Sequence, residues 1–560
     1  MPSVLNLKKS NCKNCHKCIR YCPVKAIRFS GNQARIISDE CILCGHCFVV
    51  CPQGAKEIID DTEAVKVMIQ SPSPVIVSLA PSFYACWDKC GINSLRKALQ
   101  QLGFDDVEET ARGATLVKRE YEKLISMNAS DVIISTSCHS VNLLVEKHFP
   151  ELRKYLAPVV SPMIAHATDI KKRIPGAKVV FIGPCVAKKD EAIGSIVDAV
   201  LTFEELDQMF ISSNIKVEPE FGECEAGRAT GFAVSGGVIK SMDLPENSGY
   251  NYITVDGADN CLNALKDIKD GNIQKCFIEM SACPGGCIGG PIMEKYINSP
   301  IRHMCAVLEH VGDKDFDIPQ PDDGSMLTQY IGVPLNHSEP TEEEIRRILK
   351  NMGKNSPADE LNCGTCGYET CRDKAIAIHR GTANYSMCLP YIMERTERFN
   401  DKILNNMPSG VIVVNEDLEV QQLNRPAMKL MNITHESDVL GESVVRILDT
   451  APFLTVLEKG RTLKHYRSFF SEYGKYFDQT IVYDRSSHIL IDILNDVTEE
   501  EDERRSKAEF SHKTIQIADR VLANQMRIVQ EIASLLGETT AETKIALTKL
   551  KESMGYDENE

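Results

Sequence analysis

Tryptophan occurs once, at Trp87, and aromatic residues make up only 6% of the 560 residues. No run approaches 18 consecutive apolar residues. The best, from Val75 to Trp87, is broken by Ser78, Pro81 and Ser82, so no membrane insertion is expected. Positive charge is in deficit: 63 lysines and arginines face 79 acids, a formal net charge of −16. Nucleic acid is therefore not an expected partner, because binding phosphates needs a cationic face. Met1–Ser10 carries no apolar core followed by a small-residue cleavage site, and the expected location is cytoplasmic.

Cysteine is abundant. There are 22, with eight in the first 51 residues, four between Cys363 and Cys388, and none after. In a reducing compartment such clustered thiols read as metal ligands rather than disulfides. The length suggests three to five domains. From about 61 to 300, strand-like runs (Pro74–Ala80, Asp131–Ser135, Ala177–Ile182, Lys275–Met280) alternate with amphipathic helical stretches. That pattern predicts α/β structure with a sheet inside helices. Residues 312–345 are rich in Pro, Asp, Glu and Gly and read as a connector. From Gly410 two short strands flank an Asn-Glu-Asp turn, with a helix from about Arg425. After Glu499 the chain is charged and helical to about Met554.

Cys12-x2-Cys15-x2-Cys18-x3-Cys22-Pro23 is followed by Cys41-x2-Cys44-x2-Cys47-x3-Cys51-Pro52. This is similar to the bacterial two-cluster ferredoxin pattern, in which the fourth cysteine of each run ligates the other cluster. The resemblance assigns Cys12, Cys15, Cys18 and Cys51 to one 4Fe-4S cluster and Cys22, Cys41, Cys44 and Cys47 to another. His16 and His46, between ligands, read as neighbours of the clusters rather than ligands.

Three central segments carry the chemistry: Ser135-Thr136-Ser137-Cys138-His139-Ser140, Gly183-Pro184-Cys185-Val186-Ala187-Lys188-Lys189-Asp190-Glu191, and Ser281-Ala282-Cys283-Pro284-Gly285-Gly286-Cys287-Ile288-Gly289-Gly290-Pro291. Each follows a predicted buried strand, where an α/β sheet places its site. In order and spacing they resemble the signature motifs of FeFe hydrogenases. Leu79-Ala80-Pro81-Ser82 and Ser235-Gly236-Gly237-Val238 extend the resemblance. It implies that Cys138, Cys185, Cys283 and Cys287 hold the cubane of an H-cluster. Cys287 would bridge to a diiron subsite carrying carbon monoxide, cyanide and azadithiolate. Lys188 would donate to a cyanide, and Pro81 and Ser82 would face the diiron unit. The implied reaction is heterolytic splitting of H2, with the protein supplying placement, electron wiring and a proton path.

The sequence departs from that family in places. Ser137 stands where fast members carry a proton-shuttling cysteine, and a hydroxyl is a poor relay. Gly183 and Ser281 stand where methionines pack against the cofactor, and His139 replaces a proline. Glu191 matches a proton-path glutamate, while Glu120 and Glu122 are only nearby candidates. Cys86, Cys90, Cys224, Cys261, Cys276 and Cys305 match no ligand spacing and read as buried structural thiols.

Cys363-x2-Cys366-x4-Cys371-x16-Cys388 resembles the small cubane-binding domain of corrinoid iron–sulfur proteins, with a returning helix from Arg372 to about Tyr385. Phe399 to Asn415 and Leu423 to Ala427 resemble the opening of a PAS domain. No ligand for it is legible, and partner binding is the expectation. In the tail, Ile515, Leu522, Val529 and Leu536 share one seven-residue row. Val521, Ile528 and Leu535 form a second, and Ala518 and Ile532 a third, as in a helical dimer or bundle.

The expected architecture is multidomain α/β and α+β: a ferredoxin-like domain (1–60), an FeFe-hydrogenase catalytic domain (61–311), the connector (312–345), a 4Fe-4S module (346–394), a PAS domain (395–498) and C-terminal helices (499–560). The whole resembles the sensory class of FeFe hydrogenases. The implied cofactors are an H-cluster and three accessory 4Fe-4S clusters. The implied partners are H2 and protons, ferredoxin or another redox protein, maturases, a second copy of the chain, and a downstream signalling protein reached through the PAS domain and helices. Slow turnover and hydrogen sensing are expected. The alternatives are a metabolic ferredoxin-dependent hydrogenase, or an electron-transfer or assembly protein lacking the diiron site.

Overall fold

Two parallel sheets form the middle of the chain, where the sequence suggested one. The computed structural model describes residues 4–8, 11–31, 33–87, 89–219, 225–244, 248–296, 299–333, 335, 339–536 and 541–553. The first sheet has four strands in the order Asp106–Glu109, Val75–Leu79, Lys178–Gly183, Ala199–Thr202. The second has three, in the order Asn251–Asp256, Cys276–Ser281, Val132–Ile134. All neighbours are parallel. The strands Val75–Leu79 and Val132–Ile134 are buried throughout, which is why they read as mainly apolar runs, with Ser78 the one polar residue. Asn251–Asp256 is a half-exposed edge strand and gave no such signal.

The N-terminal segment repeats its own backbone. Cys12 and Cys41 open the two cysteine runs, 29 positions apart. Left-handed residues recur at the same offset: Asn14 and Leu43, His16 and Gly45, Lys25 and Gly54. Such turns aim successive amides inward, toward an anionic cluster. A short helix follows each run's second cysteine, Lys17–Arg20 and His46–Val49.

Residues 312–330, read above as a connector, are strapped to the hydrogenase-like core. Phe316, Ile318 and Met326 are buried with Tyr121, Ile133 and Phe277. Asp315 pairs with the fully buried ammonium of Lys118 at 3.0 Å. The helix predicted from Arg372 to Tyr385 spans Cys371–His379. Gly381, at φ 70°, ends it, and Thr382 folds back to donate to the Ala377 carbonyl.

Residues 1–392 form one compact unit and 393–560 a second. The second unit holds a five-stranded antiparallel sheet in the order Val420–Leu423, Gly410–Asn415, Ile489–Asp496, Lys475–Asp484, Leu463–Phe470. Its core is built on Phe453, Phe477, Ile481, Leu490 and Leu494. Helices Thr498–Leu536 and Ala541–Ser553 follow. On the long helix Ile515, Ala518, Leu522 and Val529 are half-buried, while Ile517, Val521, Ile528 and Ile532 are exposed. The side chains of Leu535 and Leu536, the residues around Gly537, and Met554 lie outside the described residues.

Candidate active site and iron–sulfur centres

The C-terminal ends of the two sheets converge on one hollow. From the first sheet, Val75–Leu79 leads into Pro81 and Ser82, and Lys178–Gly183 leads into Cys185 and Lys188. From the second, Val132–Ile134 leads into Ser137 and Cys138, and Cys276–Ser281 leads into Cys283 and Cys287. All eight line a partly open hollow of about 1070 Å³, walled mainly by apolar groups such as Phe181, Met280 and Val234. Glu191 stands behind Lys188 and pairs with it. The third motif needs its glycines. A Cβ on Gly289 would fall 1.9 Å from the Pro284 carbonyl oxygen, and one on Gly286, at φ 86°, would press on the 233–235 backbone.

The polar atoms suit an anionic iron centre. Burial, then the neighbouring thiols of Cys185 and Cys138, push Cys283 well above the ordinary thiol range. Cys287 is pushed to about 12 by burial first. Cys287 is exposed as a residue and lines the hollow. Thiols so crowded ionise together only on binding cations. Ser82 Oγ is fully buried with no partner, as a hydroxyl waiting for a ligand would be. Burial works against the Lys188 ammonium, but Glu191 outweighs it and holds it protonated. Lys188 also donates to the Ser137 carbonyl at 3.2 Å. The residues present therefore fit an H-cluster.

The departures have structural reasons. A side chain on Gly183 would collide with the Phe181 ring at 2.8 Å, so Phe181 occupies the space a methionine would take. Ser137 Oγ bonds the Tyr121 hydroxyl at 3.2 Å. His139 Nε2 bonds Asp190 at 3.0 Å. Glu120 bonds Gln320 and Lys123, and Glu122 bonds Lys118. Neither acid lines the hollow. Cys90, Cys261 and Cys276 are buried, Cys86 is half-buried, and Cys305 is exposed, contrary to its expected burial. It lies on the amphipathic helix Pro300–Leu308, whose inner face is held by His303 and Val307. Cys224 lies outside the described residues.

The ferredoxin-like thiols fall into two groups. Cys18 is raised to about 11, by burial first and then partly by Cys51, Cys15 and Cys12. Cys44 is raised by burial and by Cys22, Cys47 and Cys41. The second group lies near enough to the third motif for Cys44 to add to the upward push on Cys283. Cys363, Cys366, Cys371 and Cys388 line a further hollow of about 300 Å³. Lys374 reaches into it, 1% exposed, with its Nζ unpartnered. A buried ammonium among thiols fits an anionic cluster. This module docks on the ferredoxin-like segment. Arg20 donates to the Thr365 carbonyl at 3.2 Å, Lys25 to the Gly367 carbonyl at 3.1 Å, and the Phe29 amide to the Thr382 carbonyl at 3.0 Å. His16 packs edge-on against Phe29 beside this contact, its Nε2 buried and unpartnered.

Sequence reasoning missed Lys374, and it missed Thr110, which lines the hollow, with Ser78 and His166 hydrogen-bonded in line behind it. A lysine three residues after a ligand cysteine, and a serine inside a fully apolar strand, were the available signals.

Residues 73–291 match the iron-only hydrogenase large subunit, C-terminal domain. Residues 5–68 match a 4Fe-4S dicluster domain, and residues 359–390 an Fe-S cluster domain. Iron hydrogenase 1 of Clostridium pasteurianum is 26% identical over 51% of this chain and 64% of its own length. The NADP-reducing hydrogenase subunit HndD of Solidesulfovibrio fructosivorans is 28% identical over 45% and 55%. The chain thus spans less than two thirds of the length of these relatives. The [FeFe]-hydrogenase HydA1 from Chlamydomonas reinhardtii aligns at TM-score 0.41 and 17% identity, over 50% of this chain and all of that one. A PAS domain of an HTR-like protein from Haloarcula marismortui aligns at TM-score 0.16 and 17% identity, over 19% of this chain and 96% of that one. Residues 73–291 are similar to the iron-only hydrogenase C-terminal domain, and the chain is an FeFe-hydrogenase-like protein with iron–sulfur domains at residues 5–68 and 359–390.

Proposed function

We propose that the protein reversibly splits H2 into protons and electrons at an H-cluster, slowly, and acts as a hydrogen or redox sensor. The observation that carries the reading is one hollow lined by four thiols, the Lys188 ammonium and the unpartnered Ser82 hydroxyl. Cys138, Cys185, Cys283 and Cys287 would hold the H-cluster, which supplies the bond-breaking chemistry when bound. Lys188 would donate to an anionic ligand of the diiron unit, its charge maintained by Glu191. Ser82 Oγ would hydrogen-bond the cofactor from the facing loop. The apolar wall of Phe181, Met280 and Val234 excludes water and strengthens these polar contacts.

Electrons would leave in sequence through the Cys44 group, the Cys18 group and the Cys363–Cys388 module, three accessory 4Fe-4S clusters in all. The electrostatic influence of Cys44 on Cys283 and the docking of Gly367 on Ile19 support that order. A ferredoxin or similar redox protein is the external electron partner, and maturases load the diiron unit. The PAS-like unit and helices would pass the redox state to a downstream protein that prefers one state over the other.

Infrared spectroscopy of maturase-loaded protein, with and without H2, tests this. Carbonyl and cyanide bands that shift with H2 are the expected result. Their absence would overturn the reading in favour of an electron-transfer or assembly role. Rapid turnover with ferredoxin would replace sensing with a metabolic hydrogenase.

A further inference from the structure

Protons must cross the protein wherever H2 is split, and on the Ser137 side the links between hydroxyls are long, 3.2 and 3.3 Å. Ser137 Oγ leads to Tyr121 Oη, and Tyr121 to Thr136 Oγ1 at 3.3 Å. Thr136 Oγ1 donates to the Val159 carbonyl, an acceptor that has no proton to hand on.

The opposite wall is different. Thr110 lines the hollow beside Ala80 and Pro162. Its Oγ1 lies 2.8 Å from Ser78 Oγ, which lies 2.8 Å from His166 Nδ1. His166 Nε2 lies 3.2 Å from Glu108 Oε2. Ser78 and His166 are fully buried, and the Glu108 side chain is 15% exposed. Three chain segments meet to make this line. Gly113 permits the approach: a Cβ there would lie 2.6 Å from the His166 amide.

We propose that Thr110, Ser78, His166 and Glu108 form a proton wire between the hollow and solvent, used in place of the Ser137 side: here the two hydroxyls do not hold a proton but pass it over 2.8 Å links to an imidazole. The inference rests on the hydrogenase reading. The charged groups around the exit set its direction. Arg173 bonds Glu108 at 2.6 Å and Asp169 at 2.8 Å, and Arg112 lies 3.6 Å from Glu108. Burial works against the Glu108 carboxylate, but the hydrogen bonds from His166 and Arg173 outweigh it and hold it at about 2. An ionised Glu108 accepts from His166 Nε2–H. That leaves Nδ1 to accept from Ser78, and Ser78 to accept from Thr110.

The balance is as follows. Splitting one H2 yields two protons and two electrons, and the electrons pass through the iron–sulfur centres to the oxidised redox partner. Each proton binds Thr110 Oγ1, whose own proton moves to Ser78. The Ser78 proton moves to His166 Nδ1, the Nε2 proton to Glu108, and thence to water. Every hop breaks one O–H or N–H bond and forms another. Hydroxyl rotation and imidazole tautomer exchange then reset the line.

The test uses maturase-loaded full-length protein, with infrared bands of the active site followed after a pH jump in H2O and in D2O. Thr110→Val keeps the shape and Ser78→Ala breaks the second link. Each is expected to slow the band response by at least about tenfold and to raise the solvent isotope effect, with end-point spectra and iron content unchanged. Thr110→Ser restores the parent rate. Unchanged kinetics in both Thr110→Val and Ser78→Ala overturns the wire alone. Absent carbonyl and cyanide bands in the parent protein overturn the hydrogenase reading, and the wire with it.

Discussion

Gly45 and Pro291 touch across two domains: a Cβ on Gly45 would come within 2.5 Å of the Pro291 ring. Gly45 follows the ligand candidate Cys44, and Pro291 ends the third motif. At φ 76° Gly45 is also in the left-handed region. Gly45→Val should therefore cost about 2 kcal/mol or more. It should also push the ferredoxin-like segment off the hydrogenase domain. Thermal unfolding reads the first effect. Slower reduction of the H-cluster by dithionite-reduced accessory clusters, in stopped-flow infrared, reads the second. A stable variant with unaltered reduction kinetics would show that this contact is not on the electron route.

Ser137 hydrogen-bonds the Tyr121 phenol and lines the hollow. Replacing it with cysteine places a group of more suitable proton affinity there. Even so, the links that lead from Ser137 are long and the last hydroxyl donates to the Val159 carbonyl, so H2 evolution by Ser137→Cys should stay within about twofold of the parent rate. A rise of about tenfold or more would show that protons leave by this side and would count against the Thr110 line.

Lys374 places an unpartnered ammonium among Cys363, Cys366, Cys371 and Cys388. Positive charge and hydrogen bonds near a cluster's sulfurs raise its potential. Lys374→Met should lower the midpoint potential of that cluster by roughly 60 mV, about 1.4 kcal/mol for a one-electron couple. An EPR-monitored redox titration checks it, and an unshifted midpoint contradicts it.

Asp492 lies fully buried in the sheet of the second unit, bonded to Gln479 at 3.0 Å. Burial raises it from 3.8 to about 7. Below the unfolded value both states hold the proton, and Asp492 carries no penalty. As pH climbs toward about 7 the unfolded chain loses that proton first, so stability falls. Above about 7 the loss is complete, on the order of 4 kcal/mol. Asp492→Asn should remove this slope and raise the unfolding midpoint of the C-terminal transition in mildly alkaline buffer. Urea unfolding across that window measures it.

Val521 and Ile528 are exposed on one face of the Thr498–Leu536 helix. If that face pairs two copies, Val521→Asp with Ile528→Asp should convert a dimer to a monomer. Sedimentation velocity decides, and an unchanged species would place the dimer contact elsewhere.

Much of this was legible in sequence because the chemistry is local. The cysteine runs, the strand before each motif and the Arg425 helix all lie within short windows. What was not legible is non-local. His166 meets Ser78 from 88 positions away, and Gly113 permits it by a close backbone approach that no spacing announces. The second sheet was hidden because its edge strand, Asn251–Asp256, is too exposed to read as an apolar run. The Cys371 helix was overrun because Gly381 acts as a stop only in its left-handed conformation. Residues 312–330 looked loose because their polar composition masks three buried anchors.

Those anchors constrain how the gene can be cut or recombined. A polypeptide ending at residue 291, where the recognisable hydrogenase homology stops, would lack Phe316, Ile318 and Met326. It would also lose the Asp315 counter-charge to Lys118 and bare an oily flank beside Tyr121 and Phe277. Transplanting this hydrogenase-like unit into another protein therefore requires its downstream belt to travel with it.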